Sequence, residues 1–149
     1  MPRRRRRRWV EFPPIFWGFR PWGFINPQNR EVVNLNLDEY EAIRLVDYLG
    51  LKHEDAAEKM NISRPTFTRI LEDAHKKIAD AIINGKELLI KGGDVEIKNK
   101  RYVCLDCNKI IEENELDSHR YDNIYEIGNF YRGFGPPLGR WGRGRFKKW

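Results

Sequence analysis

Two thiols and three imidazoles are the soft donors of this 149-residue chain, and three of these five side chains lie near one another in sequence. Cys104 and Cys107 stand two residues apart in Tyr102-Val-Cys-Leu-Asp-Cys-Asn-Lys109, with Asn108 where a tight turn wants a permissive backbone, and His119 comes after eleven intervening residues. Thiolates at this spacing make half of a zinc knuckle, and a structural zinc takes four protein donors in a tetrahedron. The Cys or His pair that would complete such a set is missing from the later sequence. Cys104, Cys107 and His119 are therefore a three-donor candidate for structural zinc, needing Asp117, Asp122, a residue of another chain or water as the fourth ligand. Two reduced structural thiols and a redox pair are the alternatives, the second disfavoured because no thioredoxin-like strand-helix pattern surrounds the cysteines.

A different chemistry, hydrogen bonding to bases and phosphates, is on offer in His53-Glu-Asp-Ala-Ala-Glu-Lys-Met-Asn-Ile-Ser-Arg-Pro-Thr-Phe-Thr-Arg-Ile70. Ala56, Ala57 and Met60 fall at helical spacing, the pattern breaks at Asn61-Ile62, and Phe67, Ile70, Leu71 and Ala74 begin a second apolar series. That predicts a short helix, a tight turn and a longer helix. Ala57 is small enough for a close helix crossing, Asn61 tolerates a left-handed backbone, and Ile62 points back into the angle. Ser63 can accept from the free amides of the next turn, and Pro65 lacks an amide where none is needed. Arg64, Thr66, Thr68 and Arg69 then project from the start of the second helix, positions that face the major groove or its flanking phosphates in a helix-turn-helix. The plainer alternative is a helix-helix corner with no nucleic-acid role.

Charge is divided along the chain. Residues 1–30 carry eight basic residues against one acid, residues 31–100 eleven against fourteen, residues 101–127 three against seven, and residues 128–149 six against none. An acidic body with basic ends fits a polyanionic partner gripped by arms. Arg3, Arg4, Arg5, Arg6, Arg7 and Arg8 form the first arm, suited to phosphates or a minor groove. The last 22 residues mix arginine, glycine and aromatic rings in a way that suits charge and stacking contact with nucleic acid, or a solubilising tail. No run is long and apolar enough to span a bilayer, the start lacks the apolar segment of a signal peptide, and two cysteines make no disulfide framework, so a cytoplasmic protein without a membrane partner is expected.

The remaining pattern indicates the elements that must hold these residues. Asp38 reads as an N-cap with Glu41 closing a capping box and Leu37 as the staple. The helix after it presents Ala42, Leu45, Val46 and Leu49 and stops at Gly50. The long helix continues through Ile78, Ala79, Ile82 and Ile83 to Asn84-Gly85, about 30 Å from Arg64; its far half is free to meet the aromatic N-terminal segment or a second copy in a homodimer. His75 reads as a surface or packing residue. Residues 86–97 predict two short strands around Gly92-Gly93, a hairpin wing. The expected fold is mainly α: a compact three-helix helix-turn-helix domain with a small β-hairpin or zinc-knuckle-like appendage and irregular basic ends. Its parts are an arm and aromatic segment (1–30), the helical domain (31–93), the hairpin and Cys region (94–127) and the tail (128–149). No cluster of acid, base and nucleophile suggests an enzyme. A DNA-binding transcriptional regulator is the leading reading, with an RNA-binding or nonspecific nucleic-acid-binding protein, or a protein-binding adaptor, behind it.

Over about residues 1–93 the sequence resembles uncharacterised protein family 0251, prokaryotic proteins predicted to bind DNA. The likeness rests on the arginine-rich start, Phe19-Arg-Pro-Trp-Gly, Leu37-Asp-Glu-Tyr-Glu-Ala-Ile-Arg-Leu-Val-Asp47, Gly50-Leu, Glu54-Asp-Ala-Ala-Glu-Lys-Met60, Ile62-Ser-Arg-Pro-Thr-Phe67 and Asn84-Gly-Lys86. It implies a helix-turn-helix similar to the promoter-reading end of bacterial sigma factors, with Arg64, Thr66 and Arg69 on the DNA-facing helix. This chain departs from the pattern at Lys52, Asn61 and Pro65, where a hydroxyl residue, Gly and Gln are usual. It also keeps one Cys pair where family members often carry two.

Overall fold

Short strands from the proline- and glycine-rich N-terminal third, not only helices, build the framework. In the computed structural model, which describes residues 6–23, 27–120 and 123–127, β1 (Arg8–Val10), β2 (Gly18–Phe19) and β3 (Val32–Leu35) precede α1 (Leu37–Ile43), α2 (His53–Lys59) and α3 (Arg64–Asn84). β4 (Glu87–Ile90), β5 (Val95–Ile97), β6 (Arg101–Cys104), β7 (Ile110–Glu112) and β8 (Ile124–Glu126) come after α3. The strands form three small sheets, β1-β5, β2-β4-β3 and β7-β6-β8. The fold is thus mixed α/β, which corrects the expectation of a mainly α domain.

The predicted wing is also corrected. Strands do form on both sides of Gly92-Gly93, but they do not pair with each other: β4 lies antiparallel to β2 and parallel to β3, and β5 lies parallel to β1. Gly92 and Gly93 take φ of 80° and 97°, and a Cβ on Gly93 would stand 3.3 Å from Asp38 Oδ1. The turn is pressed against the start of α1, where the Leu37 amide donates to the Gly92 carbonyl at 3.0 Å. Pairing with the N-terminal strands prevails because it gathers Val10, Leu35 and Ile90 with Leu37 and Ala74 into one buried cluster. An isolated two-stranded hairpin has no such face to bury.

α1 starts two residues earlier than its sequence suggests. Asn36 is the N-cap, and Glu39 reaches back to accept from the Asn36 amide at 2.8 Å. Asp38 and Glu41 are occupied elsewhere: Asp38 pairs with Arg8, and Glu41 accepts from Arg44 and from the Glu11 amide. After Ile43 the helix widens into a π turn over Arg44–Tyr48. The additional residue in that turn rotates the chain beyond it, so Ala42 and Leu45 are buried as expected while Leu49 is 48% exposed.

The α2–α3 corner forms as its residues dictate. Asn61 takes φ 57°, Ser63 Oγ accepts from the Thr66 amide at 3.4 Å, Pro65 sits in the first turn, and Gly85 ends α3 at φ 61°. Ala56, Ala57 and Met60 meet Phe67, Ile70 and Leu71 in a core shared with Ala42 and Leu45, with Ile62 packed at its edge. Further along α3, Ala74 and Ile78 belong to the strand-lined cluster. Ile82 and Ile83 do not continue into it: they are 73% and 81% exposed. Among the described residues no helix is long and apolar enough to cross a membrane.

Candidate functional site

Three acidic side chains on α1 are buried, and each is tied to a cation from a different part of the chain. Asp38 pairs with Arg8 of β1, Glu39 with Lys77 of α3 at 2.8 Å, and Glu41 with Arg44 at 2.8 Å, Arg44 also reaching Glu11 at 2.6 Å. Buried charges persist only when paired in this way. The Glu41 hydrogen bond in particular raises the Arg44 pKa, so this guanidinium is a permanent cation. The set fixes β1 and, with it, the position of Arg6 and Arg7 just before it. The Trp9 amide adds a bond to the Met60 carbonyl at 3.1 Å, fastening β1 to the end of α2.

The described end of the arm therefore arrives at the α2–α3 corner. Arg6 lines one cleft together with Glu54, Ala57, Glu58, Asn61, Ile62, Ser63 and Arg64. Arg7 makes an exposed ion pair with Asp94 at 3.5 Å, and Arg8 is engaged with Asp38. Arg3, Arg4 and Arg5 lie outside the described residues, as does the tail from 128 to 149.

On α3 the four singled-out side chains separate into two kinds. Thr66 Oγ1 lies 2.8 Å from Ser63 Oγ, and Thr68 Oγ1 lies 3.0 Å from His53 Nδ1, so both hydroxyls serve the corner itself. Arg64 is exposed and pairs with Glu54 at 3.0 Å. Arg69 is exposed and makes no ion pair or hydrogen bond with any described residue. By helical spacing it falls opposite the buried face of Phe67, Ile70, Leu71 and Ala74. His75, away from this region, pairs with Asp47 at 2.6 Å as a surface residue.

The second constellation lies in the β7-β6-β8 sheet. β6 and β7 form an antiparallel hairpin whose connection holds Cys107 and turns through Asn108 at φ 56°. A 3-10 helix over Glu113–Ser118 then returns the chain so that His119 Nε2 comes within 3.6 Å of Cys107 Sγ. The donor atoms of Cys104, Cys107 and His119 all lie within 4.8 Å of one another, a cluster that could hold a metal ion. Asp117 does not join it, and Asp122 lies outside the described residues. Burial pushes the Cys104 thiol up, but hydrogen bonds from the Cys107 amide, the His119 side chain, the Asp106 amide and the Cys107 side chain outweigh it and bring it down to about 7. Amides aimed at a sulfur are what a thiolate ligand requires.

With both sites in view, known proteins provide a comparison. The family model described as "Protein of unknown function DUF134" matches residues 1–98. A "UPF0251 protein" of Chloroherpeton thalassium is 46% identical over 129 residues, 87% of this chain and 83% of the relative. The chain belongs to this family. A UPF0251 protein of Caldicellulosiruptor bescii is 47% identical over 112 residues, 75% of this chain and 77% of its own, and one of Clostridium botulinum is 44% identical over 124 residues, 83% and 78%. No solved structure matches the chain.

Sequence reasoning did not give Arg8, Asp38, Glu39, Glu41 and Arg44 their role in this set of ion pairs. Asp38 and Glu41 looked like capping residues because their pattern is locally sufficient for capping. Glu54 was missed as the partner of Arg64; ten positions separate them, and only the tight turn at Asn61 brings them together.

Proposed function

We propose that this protein is a cytoplasmic transcriptional regulator that binds duplex DNA through the first turns of α3, with the arginine-rich arm gripping the adjacent backbone or minor groove. In this reading α2, the Asn61 turn and α3 are a helix-turn-helix similar to that of sigma factors, and α1 packs behind it. One observation carries the reading: Arg6 of the arm and Arg64 at the start of α3 line the same cleft, so two cationic elements 58 positions apart are brought to one face. A phosphate backbone lying along that face meets both.

Arg69, exposed and uncommitted among the described residues, is the side chain proposed to read a base edge, where a guanidinium can donate two bonds to guanine. Arg64, held by Glu54 in the first turn, suits a phosphate. Thr66 and Thr68 shape the turn and contribute less. Exposed Glu72 and Asp73 on the following turn confine the contact to the first two turns of α3, since carboxylates there repel phosphate. The proposal is a binding protein and not an enzyme. Exposed Ile82 and Ile83 suit contact with a second copy, in which case the DNA site has two-fold symmetry.

The test is a set of paired affinities, on a site recovered by oligonucleotide selection and on a scrambled duplex, at one salt concentration. Arg69→Ala should cost about 1–3 kcal/mol on the selected site and much less on the scrambled one. Arg64→Ala should weaken both alike. Retention of the wild-type ratio by Arg69→Ala would remove sequence reading from α3. Equal affinity for structured RNA would replace the proposal with a nonspecific polyanion binder.

A further inference from the structure

We infer that Cys104, Cys107 and His119 bind one zinc-class divalent ion through two sulfurs and one imidazole nitrogen, and that this ion is the staple of the β7-β6-β8 sheet. Zinc-sulfur and zinc-nitrogen bonds of about 2.3 and 2.0 Å place tetrahedral donors roughly 3.5–3.8 Å apart. Cys107 Sγ and His119 Nε2 already stand at 3.6 Å, and the whole set fits within 4.8 Å. Two sulfurs with an imidazole select zinc and similar borderline metals over magnesium or calcium, which take oxygen donors. Both cysteines are free thiols, so no disulfide competes for the sulfurs.

The geometry also says what the ion does. Its donors come from three separate places: the end of β6, the hairpin connection and the residue after the 3-10 helix. Among the described residues, the buried apolar side chains of this sheet and its end are Cys104, Ile111 and Ile127. So small a unit cannot sustain itself on apolar burial, and metals commonly supply the deficit in units of this size. Tertiary ties to the rest of the domain, such as Arg101 over the Phe12 ring at 3.9 Å, hold one end of the sheet and leave the cysteine end to the ion. No donor lies on α2 or α3, so the metal site stands or falls separately from the DNA reading.

The experiment uses the full chain, reduced and stripped with chelator, and adds Co2+ or Zn2+ alone. The expected result is one Co2+ per chain with the visible bands of tetrahedral cobalt and a thiolate charge-transfer band, both erased by Zn2+. Cys107→Ser and His119→Ala should each lower metal affinity at least about tenfold, while His119→Cys, which restores a soft donor, should stay near wild type. Zinc should raise hydrogen-exchange protection in residues 101–119 and leave α3 unchanged. Binding of less than about 0.2 equivalents, or an octahedral cobalt spectrum, would overturn the site. So would His119→Ala matching wild type, or His119→Cys failing as His119→Ala does. Full metal binding with no gain in protection would overturn the staple.

Discussion

The Arg8–Asp38 pair gives the clearest test of how the arm is held, because its two ends sit in different environments. The Asp38 side chain is 3% exposed and that of Arg8 36%. Removing one partner of a fully buried ion pair costs about 3–5 kcal/mol, mostly the penalty of a stranded charge. That figure applies to only one half of this pair. Arg8→Ala strands the Asp38 carboxylate, which retains a hydrogen bond from the Glu39 amide at 3.0 Å. A loss of about 2–3 kcal/mol is expected after that compensation. Asp38→Asn strands a guanidinium that can turn to water, and the amide oxygen can still accept from Glu39, so about 1 kcal/mol is expected. The double variant should be more stable than Arg8→Ala alone, because no buried charge remains. Urea unfolding of the four proteins, compared at constant m-value, reads these differences directly. If Asp38→Asn costs as much as Arg8→Ala, or the double variant shows simple additivity, the carboxylate is not a buried charge held by the arm.

The same geometry sets four further outcomes. Deleting residues 1–7, which spares the anchoring Arg8, should weaken binding to all duplexes and flatten the salt dependence; an unchanged slope of log affinity against log salt would take the arm off the DNA. Glu54→Gln, which frees Arg64 from an exposed pair, should raise duplex affinity by up to about fivefold, the scale of one such pair, and filter binding or anisotropy that detects a decrease would refute the competition. Ala57→Leu should lower stability by about 1–3 kcal/mol in the same urea assay, since the side chain is buried in the helix crossing; a neutral result would mean the corner has slack. In metal-free reduced protein the Cys104 pKa, near 7 when folded, lies below its usual 9. The unfolded chain therefore binds the extra proton between these values, so the thiolate's contribution to stability is complete above about pH 9 and is lost as pH falls through about 7. A melting profile of the metal-free Cys104→Ser variant with the same slope as wild type across that window would contradict this.

Legibility in the sequence divides by the range of the interaction. The α2–α3 corner was readable because Ala57, Asn61, Ser63 and Pro65 each act within one turn of themselves, and the observed φ of Asn61 and the Ser63 cap agree with that reading. The Cys104-Cys107 turn was readable for the same reason, down to the left-handed Asn108. What failed was pairing over distance. Strands of two to four residues carry too little alternation to reveal their partners, so the link of β1 to β5 and of β3 to β4 had no local signature. The hairpin looked preferable only because its two strands are neighbours in sequence. The π turn after α1 was hidden too, because Leu49 keeps helical spacing with Leu45 and leaves the core only when an additional residue enters the turn.

These long-range features decide what the corner can do. A helix-helix corner alone is compatible with many small domains, and nothing in residues 53–70 requires a polyanion. The buried acids of α1 add what the corner lacks, because Asp38 and Glu39 hold cations from β1 and α3 while Glu41 holds the neighbouring Arg44. Asp38 takes Arg8, and the strand thus fixed passes the end of α2, where the Trp9 amide bonds to Met60. Arg6 is consequently delivered to the cleft that contains Arg64. A basic tail needed only for solubility has no reason to be registered against a helix start through a buried ion pair. One that, as proposed here, places phosphate contacts beside a base-reading helix has that reason, because register is what phosphate contacts supply.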